Sequence, residues 1–336
     1  MLELEKPLAV SVSPHFRGTD TVQRVMFDVV LALIPAVIAG VYFFGARALW
    51  IVLISVAAAV GTEALLQRLT RKPVTVTDCS AIITGILLAL NLPPAAPYWL
   101  PVAGAVIAIG IAKTIFGGLG KNIFNPALIG RAVLIAAYPV AMTKGWLKPL
   151  WWQGQGFFTN AVANSQGAAF DAISCATPLV KEGTPDPFTL GDLLIGKVGG
   201  CIGETSAILI IIGGLYLLAR KRILWQMPVA YIGTFALLAA LFGGARGLTV
   251  AEEVFAGGLM LGAWFMATDM VTSPLTGKGQ LIGGILCGLL TFVIRLKGGY
   301  PEGVSYSILI MNMTTPLIDR YTKPSRFGAK RSAKHS

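Results

Sequence analysis

Asp171, Ser174 and Thr177 fall within seven residues of one another, in Asp171-Ala-Ile-Ser-Cys-Ala-Thr177. Thr177 is a small hydroxyl nucleophile, and its neighbours Cys175 and Ala176 leave room for a bulky reaction partner. Asp171 could hold a hard cation such as Mg2+, which prefers carboxylate and phosphate oxygens. An exposed threonine with small flanks and an upstream carboxylate suits a phosphoryl-type modification. The same residues have a plainer use, with Asp171 and Ser174 capping a short turn and Pro178 stopping any helix before Leu179. A second constellation is Asn122 and Asn125, three apart behind the run Gly117-Gly-Leu-Gly-Lys121. If that turn is helical the two amides share a face, where they could hydrogen-bond the edge of a flat heterocycle. Otherwise Asn125 caps a helix that carries Pro126 in its first turn. The run is no Walker A loop, because Ile115 stands where the first glycine belongs and Asn122 where Ser or Thr should follow the lysine.

The elements around these residues are oily. Of 336 residues, 55% are hydrophobic and 13% charged, and the mean hydropathy is +0.72. A soluble domain carries about 25% charged residues. The block from Val25 to Phe44 holds one charge, Asp28, and is long enough to cross roughly 30 Å of hydrocarbon. It is too long and starts too late for a cleaved signal peptide. The chain therefore reads as an all-α integral membrane protein with about ten spans: 24–44, 47–67, 79–92, 98–116, 124–141, 203–219, 228–244, 250–267, 279–296 and 304–320. The third is short and ends in Asn91-Leu-Pro-Pro94, as a tilted helix or one half-buried in protein would. Four cysteines without a C-x-x-C pair, and two histidines, argue against a metal cluster built from this chain alone and against a disulfide framework.

The net charge of +11 sits next to span ends and in the basic tail after the last span. Positive-inside topology accounts for it more simply than nucleic-acid binding does. With both termini inside, most Lys and Arg fall in the inner segments, Lys113 and Lys121 among them. The long segment 142–202, with Thr177, then faces the periplasm or exterior of a bacterial cell membrane. The expected divisions are an N-terminal half (1–141) of five spans, the outer loop (142–202), a C-terminal half (203–320) of five spans, and a cytoplasmic tail (321–336). A repeat of five helices must be inverted across the membrane, as in many transporters, and two such repeats are the expected arrangement. Asn-Pro-Ala-Leu-Ile-Gly-Arg131 is faintly echoed by Thr-Thr-Pro-Leu-Ile-Asp-Arg320.

Asp171-x-x-Ser-Cys-Ala-Thr177 resembles the flavinylation motif Asp-x-x-(Ser/Thr)-Gly-Ala-Thr of membrane subunits in the ion-translocating Rnf and Na+-pumping NADH:quinone reductase complexes. Phe116-Gly-Gly-Leu-Gly-Lys-Asn-Ile-Phe-Asn-Pro-Ala-Leu-Ile-Gly-Arg131, Met266-Ala-Thr-Asp-Met-Val-Thr-Ser-Pro274 and Asn91-Leu-Pro-Pro94 are similar to other stretches of that family, in the same order. The resemblance is nearer to the D subunit of Rnf, a ferredoxin:NAD+ oxidoreductase that moves Na+ or H+. It implies FMN joined by a phosphoester to Thr177, with Asp171, Ser174, Cys175 and Ala176 completing the motif, and Cys175 stands where glycine is usual. It also implies a second, non-covalent flavin, riboflavin, near Asn122 and Asn125. The partners implied are the other subunits of the complex, among them a second FMN-carrying subunit, and a flavin transferase for maturation. Such a chain carries electrons without being catalytic alone.

Two other readings compete. Inverted helices also suit a small-solute transporter or channel, and glycine-rich faces (Gly199-Gly200 to Gly203, Gly283-Gly284 to Gly288) suit a membrane scaffold. Neither accounts for the Thr177 motif. Asp28, Asp78, Glu204 and Asp269 are weighed first as caps and packing groups, with Asp269 also a candidate for holding a cation or flavin. Trp99 and Trp151-Trp152 read as interface anchors.

Overall fold

A computed structural model describes residues 20–143, 146, 189–243, 248–297 and 303–323; these form helices joined by turns, with no strand among the described residues. Three helices are long and apolar enough to cross a membrane: α1 (Val22–Phe44), α2 (Ala46–Leu69) and α12 (Gly277–Lys297). Shorter apolar helices are α3 (Ser80–Leu90), α4 (Trp99–Ile107, continued as a π-helix over Ala108–Thr114), α5 (Pro126–Ala137), α8 (Ala207–Ala219) and α9 (Gln226–Phe242). Two short helices, α6 (Pro139–Thr143) and α7 (Leu190–Ile195), flank the long connecting segment, and α13 (Val304–Thr322) closes the described chain.

Helix covers most of each expected stretch, but not always continuously: 124–141 breaks at Tyr138 between α5 and α6, and 203–219 begins as a 3-10 turn before α8. The stretch 250–267 is not continuous. It begins as α10 (Val250–Phe255), whose first turn is closed by reciprocal Thr249 and Glu252 bonds. Ala256 then turns extended and Gly257 takes φ 69°, so the chain leaves the helix before α11 (Leu259–Leu261) and a π-helix over Gly262–Met266. Broken helices free backbone carbonyls, and such groups must be satisfied from within the protein where water is absent. Arg295 on α12 does this here, donating to Glu253 O at 2.7 Å and Ala256 O at 3.1 Å. Arg47 on α2 does the same for the buried turn after α3, donating to Pro94, Ala95 and Ala96 carbonyls at 3.0–3.1 Å.

The helices are built inside-out relative to those of a soluble bundle. On α1 the large residues Phe27, Leu31, Ile34, Ile38 and Tyr42 are exposed, while Ala32, Ala36, Ala39 and Gly40 are buried. Small residues inward let backbones approach closely, which is the main source of helix association in lipid. The glycine pairs in α12 act this way. A Cβ on Gly284 would lie 2.8 Å from Met227 O of α9, and one on Gly288 would lie 2.8 Å from Tyr231 O. On α8, a Cβ on Gly213 would strike Ala32 O of α1. Trp99 is 48% exposed and stacks edge-on with Tyr138 at 4.8 Å, in keeping with its reading as a surface anchor.

Candidate functional site

Two π-helices each run into a loop, and the two loops meet. After Ala108–Thr114 comes the loop 115–125, and after Gly262–Met266 comes the loop 267–276. π-helices are rare and concentrate at functional positions. The first loop can fold as it does because Gly117, Gly118 and Gly120 take φ of 113°, 99° and 86°, a region that side chains resist. Between the loops lies a cleft with a cavity volume of about 70 Å3. Its apolar wall includes Met26 and Val29 of α1, Leu217 of α8, and Ile223 and Phe265. Polar groups enter it from Lys113, Asn122, Asn125, Thr84, Thr268 and Asp269. A second cleft of about 200 Å3 shares Ile223, Thr268 and Met270 with the first and adds Arg222, Ser273 and Gln280.

Asn122 and Asn125 both line the cleft, though not as neighbours on a helix face. The turn between them is irregular, because Asn122 Nδ2 bends back to donate to Phe124 O at 3.2 Å. Asn125 caps α5, its Oδ1 accepting from Ala127 N at 3.1 Å with Pro126 in the first turn. Its Nδ2 also donates to Met266 O at 3.4 Å, tying α5 to the end of the second π-helix. The two amides thus differ in spare capacity. Asn125 is engaged at both ends, whereas Asn122 Oδ1 is buried with no hydrogen-bond partner. A buried acceptor left open costs about 1–3 kcal/mol, and a donor on a bound molecule would remove that cost.

The sequence places Lys113 among the inner loop charges; the structure instead buries it at 3% exposure within the π-helix. Its Nζ donates to Glu63 Oε1 at 2.7 Å and to Ser80 Oγ at 2.6 Å. The signal for this burial is a lysine following Ile109-Gly-Ile-Ala112 and a glutamate inside the second span, but their pairing joins residues 50 apart. Asp269 also lines the cleft, and Thr272 Oγ1 donates to its Oδ2 at 3.0 Å.

The remaining acidic groups serve packing and caps. Asp28 accepts from Arg222 Nε at 2.7 Å and from Arg220 Nη2 at 3.1 Å, joining α1 to the end of α8. Asp78 Oδ1 accepts from Ser80 N at 2.9 Å and Ser80 Oγ at 2.6 Å at the start of α3. Glu204 Oε2 accepts from Cys201 N at 3.3 Å. Asp171, Ser174, Cys175, Ala176 and Thr177, like Trp151-Trp152, lie outside the described residues.

What the cleft can do chemically follows from its lining. A flat, largely apolar heterocycle would pack on the apolar wall, and its edge would find an amide acceptor, hydroxyls, an ammonium and a carboxylate. That donor and acceptor set fits a flavin ring. In the second cleft Gln280 Oε1 is buried without a partner.

Residues 9–328 match the family model described as NQR2, RnfD, RnfE family. The D subunit of the proton-translocating ferredoxin:NAD(+) oxidoreductase complex of Clostridium ljungdahlii is 46% identical over 336 residues, covering 96% of both chains. Its counterpart, the D subunit of the Na(+)-translocating ferredoxin:NAD(+) oxidoreductase complex of Acetobacterium woodii, is also 46% identical, over 338 residues and 99% of both chains. The D subunit of the ion-translocating oxidoreductase complex of Stutzerimonas stutzeri is 40% identical, covering 92% of this chain and 93% of its own.

Proposed function

This chain belongs to the NQR2, RnfD, RnfE family, and from that membership we propose that it is the electron-carrying membrane subunit of an ion-translocating ferredoxin:NAD+ oxidoreductase. Its reactive groups are two flavins, FMN joined by a phosphoester to Thr177 and a non-covalent riboflavin in the cleft between the two π-helix loops. Flavins supply one- and two-electron transfer, and the protein sets their position and electronics. The chain works with the other subunits of its complex, including a second FMN carrier, and needs a flavin transferase to mature. Two relatives of equal identity are named for different ions, so overall similarity does not choose between Na+ and H+.

The observation that carries the reading is Asn122. Its buried, unpartnered Oδ1 lines a largely apolar cleft, in the segment whose glycines hold the loop open. Sites for small molecules combine apolar walls with a few placed polar groups. In this reading Met26, Val29 and Phe265 hold the ring by packing, and Asn122 orients it. Lys113 and Asp269 place charge at its edge. The matched breaks, each a π-helix followed by a cleft-lining loop, support ten membrane passes arranged as two inverted halves. With both termini cytoplasmic, Thr177 stands on the outer side.

The test is flavin fluorescence of the denatured protein in a gel, wild type beside Thr177→Val, from a host carrying the transferase. The expected result is a fluorescent wild type heavier by one FMN less water, and a dark variant. Flavin released from the native Thr177→Val protein should then be riboflavin. A dark wild type beside an active transferase would overturn the covalent assignment and point to Cys175 as the reason.

A further inference from the structure

Lys113 begins a chain of short hydrogen bonds that the cleft's binding role does not require. Nζ donates to Ser80 Oγ at 2.6 Å, and Ser80 Oγ donates to Asp78 Oδ1 at 2.6 Å. Asp78 is half-buried at the end of a 3-10 turn, and residues 71–75 before that turn are exposed. The bonds therefore run unbroken from the cleft wall to the water-facing end of α3. Behind the amine, Glu63 accepts from it at Oε1, while Glu63 Oε2 is buried without a partner. Gln67 Nε2 contacts the same Oε1 at 3.2 Å and Thr75 Oγ1 at 2.9 Å, so this branch too reaches the exposed segment. A guanidinium in its place would not give up its proton.

We propose that Lys113 delivers a proton to the molecule held in the cleft as that molecule is reduced, and that Ser80 and Asp78 recharge it from the aqueous face. The proposal rests on the reading of the cleft as a flavin site. A one-electron carrier of the complex supplies the electron. The Nζ–H bond breaks, its electron pair stays on nitrogen, and the proton forms an N–H bond on the ligand ring. The neutral amine takes the Ser80 hydroxyl proton, and the Asp78 carboxylate takes a proton from the aqueous face and passes it to Ser80 Oγ, returning to a carboxylate that again accepts from Ser80. One electron and one proton enter the ligand, and Lys113 returns to its ammonium form beside the Glu63 carboxylate. Of the charged groups facing the amine, Glu63 comes from α2, Asp78 from the start of α3, and Asp269 from the 267–276 loop. Asp269 is engaged by Thr272 and lies outside the relay.

The test uses the full chain in nanodiscs with riboflavin as the probe, comparing wild type, Lys113→Arg, Lys113→Met and Ser80→Ala. Riboflavin retention is measured first. Proton uptake is then followed with a pH-indicator dye after flash reduction by a one-electron photoreductant. The expected result is that Ser80→Ala retains riboflavin but takes up the proton at least tenfold more slowly, and that Lys113→Arg is slowed as much per riboflavin bound. Wild-type uptake in either variant overturns the relay, because charge alone or another path then suffices. A wild type that retains no riboflavin overturns the flavin reading, and the relay with it. Should Lys113→Met lose its ligand or fail to fold, Lys113→Arg and Ser80→Ala still decide.

Discussion

Arg131 Nη1 donates to Asn91 Oδ1 at 2.6 Å, so a guanidinium on α5 grips the residue that ends α3, with both side chains buried. Asn91 Nδ2 in turn donates to Leu87 O at 2.6 Å, satisfying a carbonyl at the end of the helix. The amide thus serves α3 with its nitrogen and α5 with its oxygen. This explains why Asn91 precedes Leu92-Pro93-Pro94, where the proline pair cannot continue the helix.

Replacing Asn91 by Leu takes the acceptor from a buried cation while keeping the branched shape of the side chain. The cost should be about 1–3 kcal/mol, as for a buried donor deprived of its partner. Thermal unfolding of the purified chain in detergent should give a lower Tm for Asn91→Leu, with Asn91→Asp nearer to wild type because it keeps an acceptor. An unchanged Asn91→Leu midpoint would mean that the other contacts of Arg131 suffice to hold it.

Glycines in neighbouring helices should behave in opposite ways. A methyl on Gly284 would meet Ala230 Cβ at 2.7 Å and Met227 O at 2.8 Å, and backbone cannot swing aside as a side-chain tip can. Gly284→Ala should therefore cost about 1–3 kcal/mol by overpacking. Gly233, on the partner helix α9, has nothing within 4 Å of such a methyl. Gly233→Ala should gain about 0.4–1 kcal/mol by restricting the unfolded chain. Equal shifts in Tm for the two variants would contradict the close α9–α12 approach.

The helix α7 should loosen in acid. Hydrogen bonds from the Thr189 hydroxyl and backbone N–H hold the Asp192 carboxyl below its ordinary value, and the Thr189 hydroxyl accepts from Asp192 N in return. A carboxylate with a depressed folded pKa stabilises above its unfolded value of about 3.9, and that contribution fades as pH falls through the folded value. Amide exchange over 190–196, compared with that of the buried helices, should therefore speed up below about pH 4. Asp192→Asn should remove that pH dependence. Protection that is flat across this range in the wild type would show that the reciprocal cap does not hold the helix.

How much can be read from sequence depends on how far apart the interacting residues lie. The Asn125 cap with Pro126 behind it is local, and Asn-Pro before an apolar run is enough to place it. The three helices long enough to cross a membrane follow from hydropathy for the same reason, since each is decided within about 20 residues. The break at Ala256–Gly258 escapes a hydropathy window because the window averages over it, although Gly257-Gly258 is visible in the sequence. Lys113 resists placement for a deeper reason. Its burial depends on Glu63 and Ser80, brought from other helices 50 and 33 residues away, and no periodicity encodes that meeting. The cleft itself is half legible, because the family resemblance points to Asn122 and Asn125 while its apolar wall is assembled from α1, α8 and two loops.

Asn122 and Asn125 should separate binding from stability. Asn125 is engaged as a helix cap, so Asn125→Ala should lower the Tm by an amount corresponding to about 0.5–2 kcal/mol. Asn122 gives the fold one 3.2 Å bond to Phe124 O and leaves its buried Oδ1 open toward the cleft. Asn122→Leu should fill that space and relieve the open acceptor, so the Tm of the flavin-free chain should not fall below that of wild type. If Oδ1 accepts from a bound ring, the same substitution should weaken riboflavin binding by about tenfold, the equivalent of one hydrogen bond of roughly 1.4 kcal/mol. Fluorescence titration of the Thr177→Val protein and of its Asn122→Leu derivative measures this without interference from covalent FMN. Equal affinity in the two would remove Asn122 from the site and leave Lys113, Thr268 and Asp269 as the groups that orient the ligand.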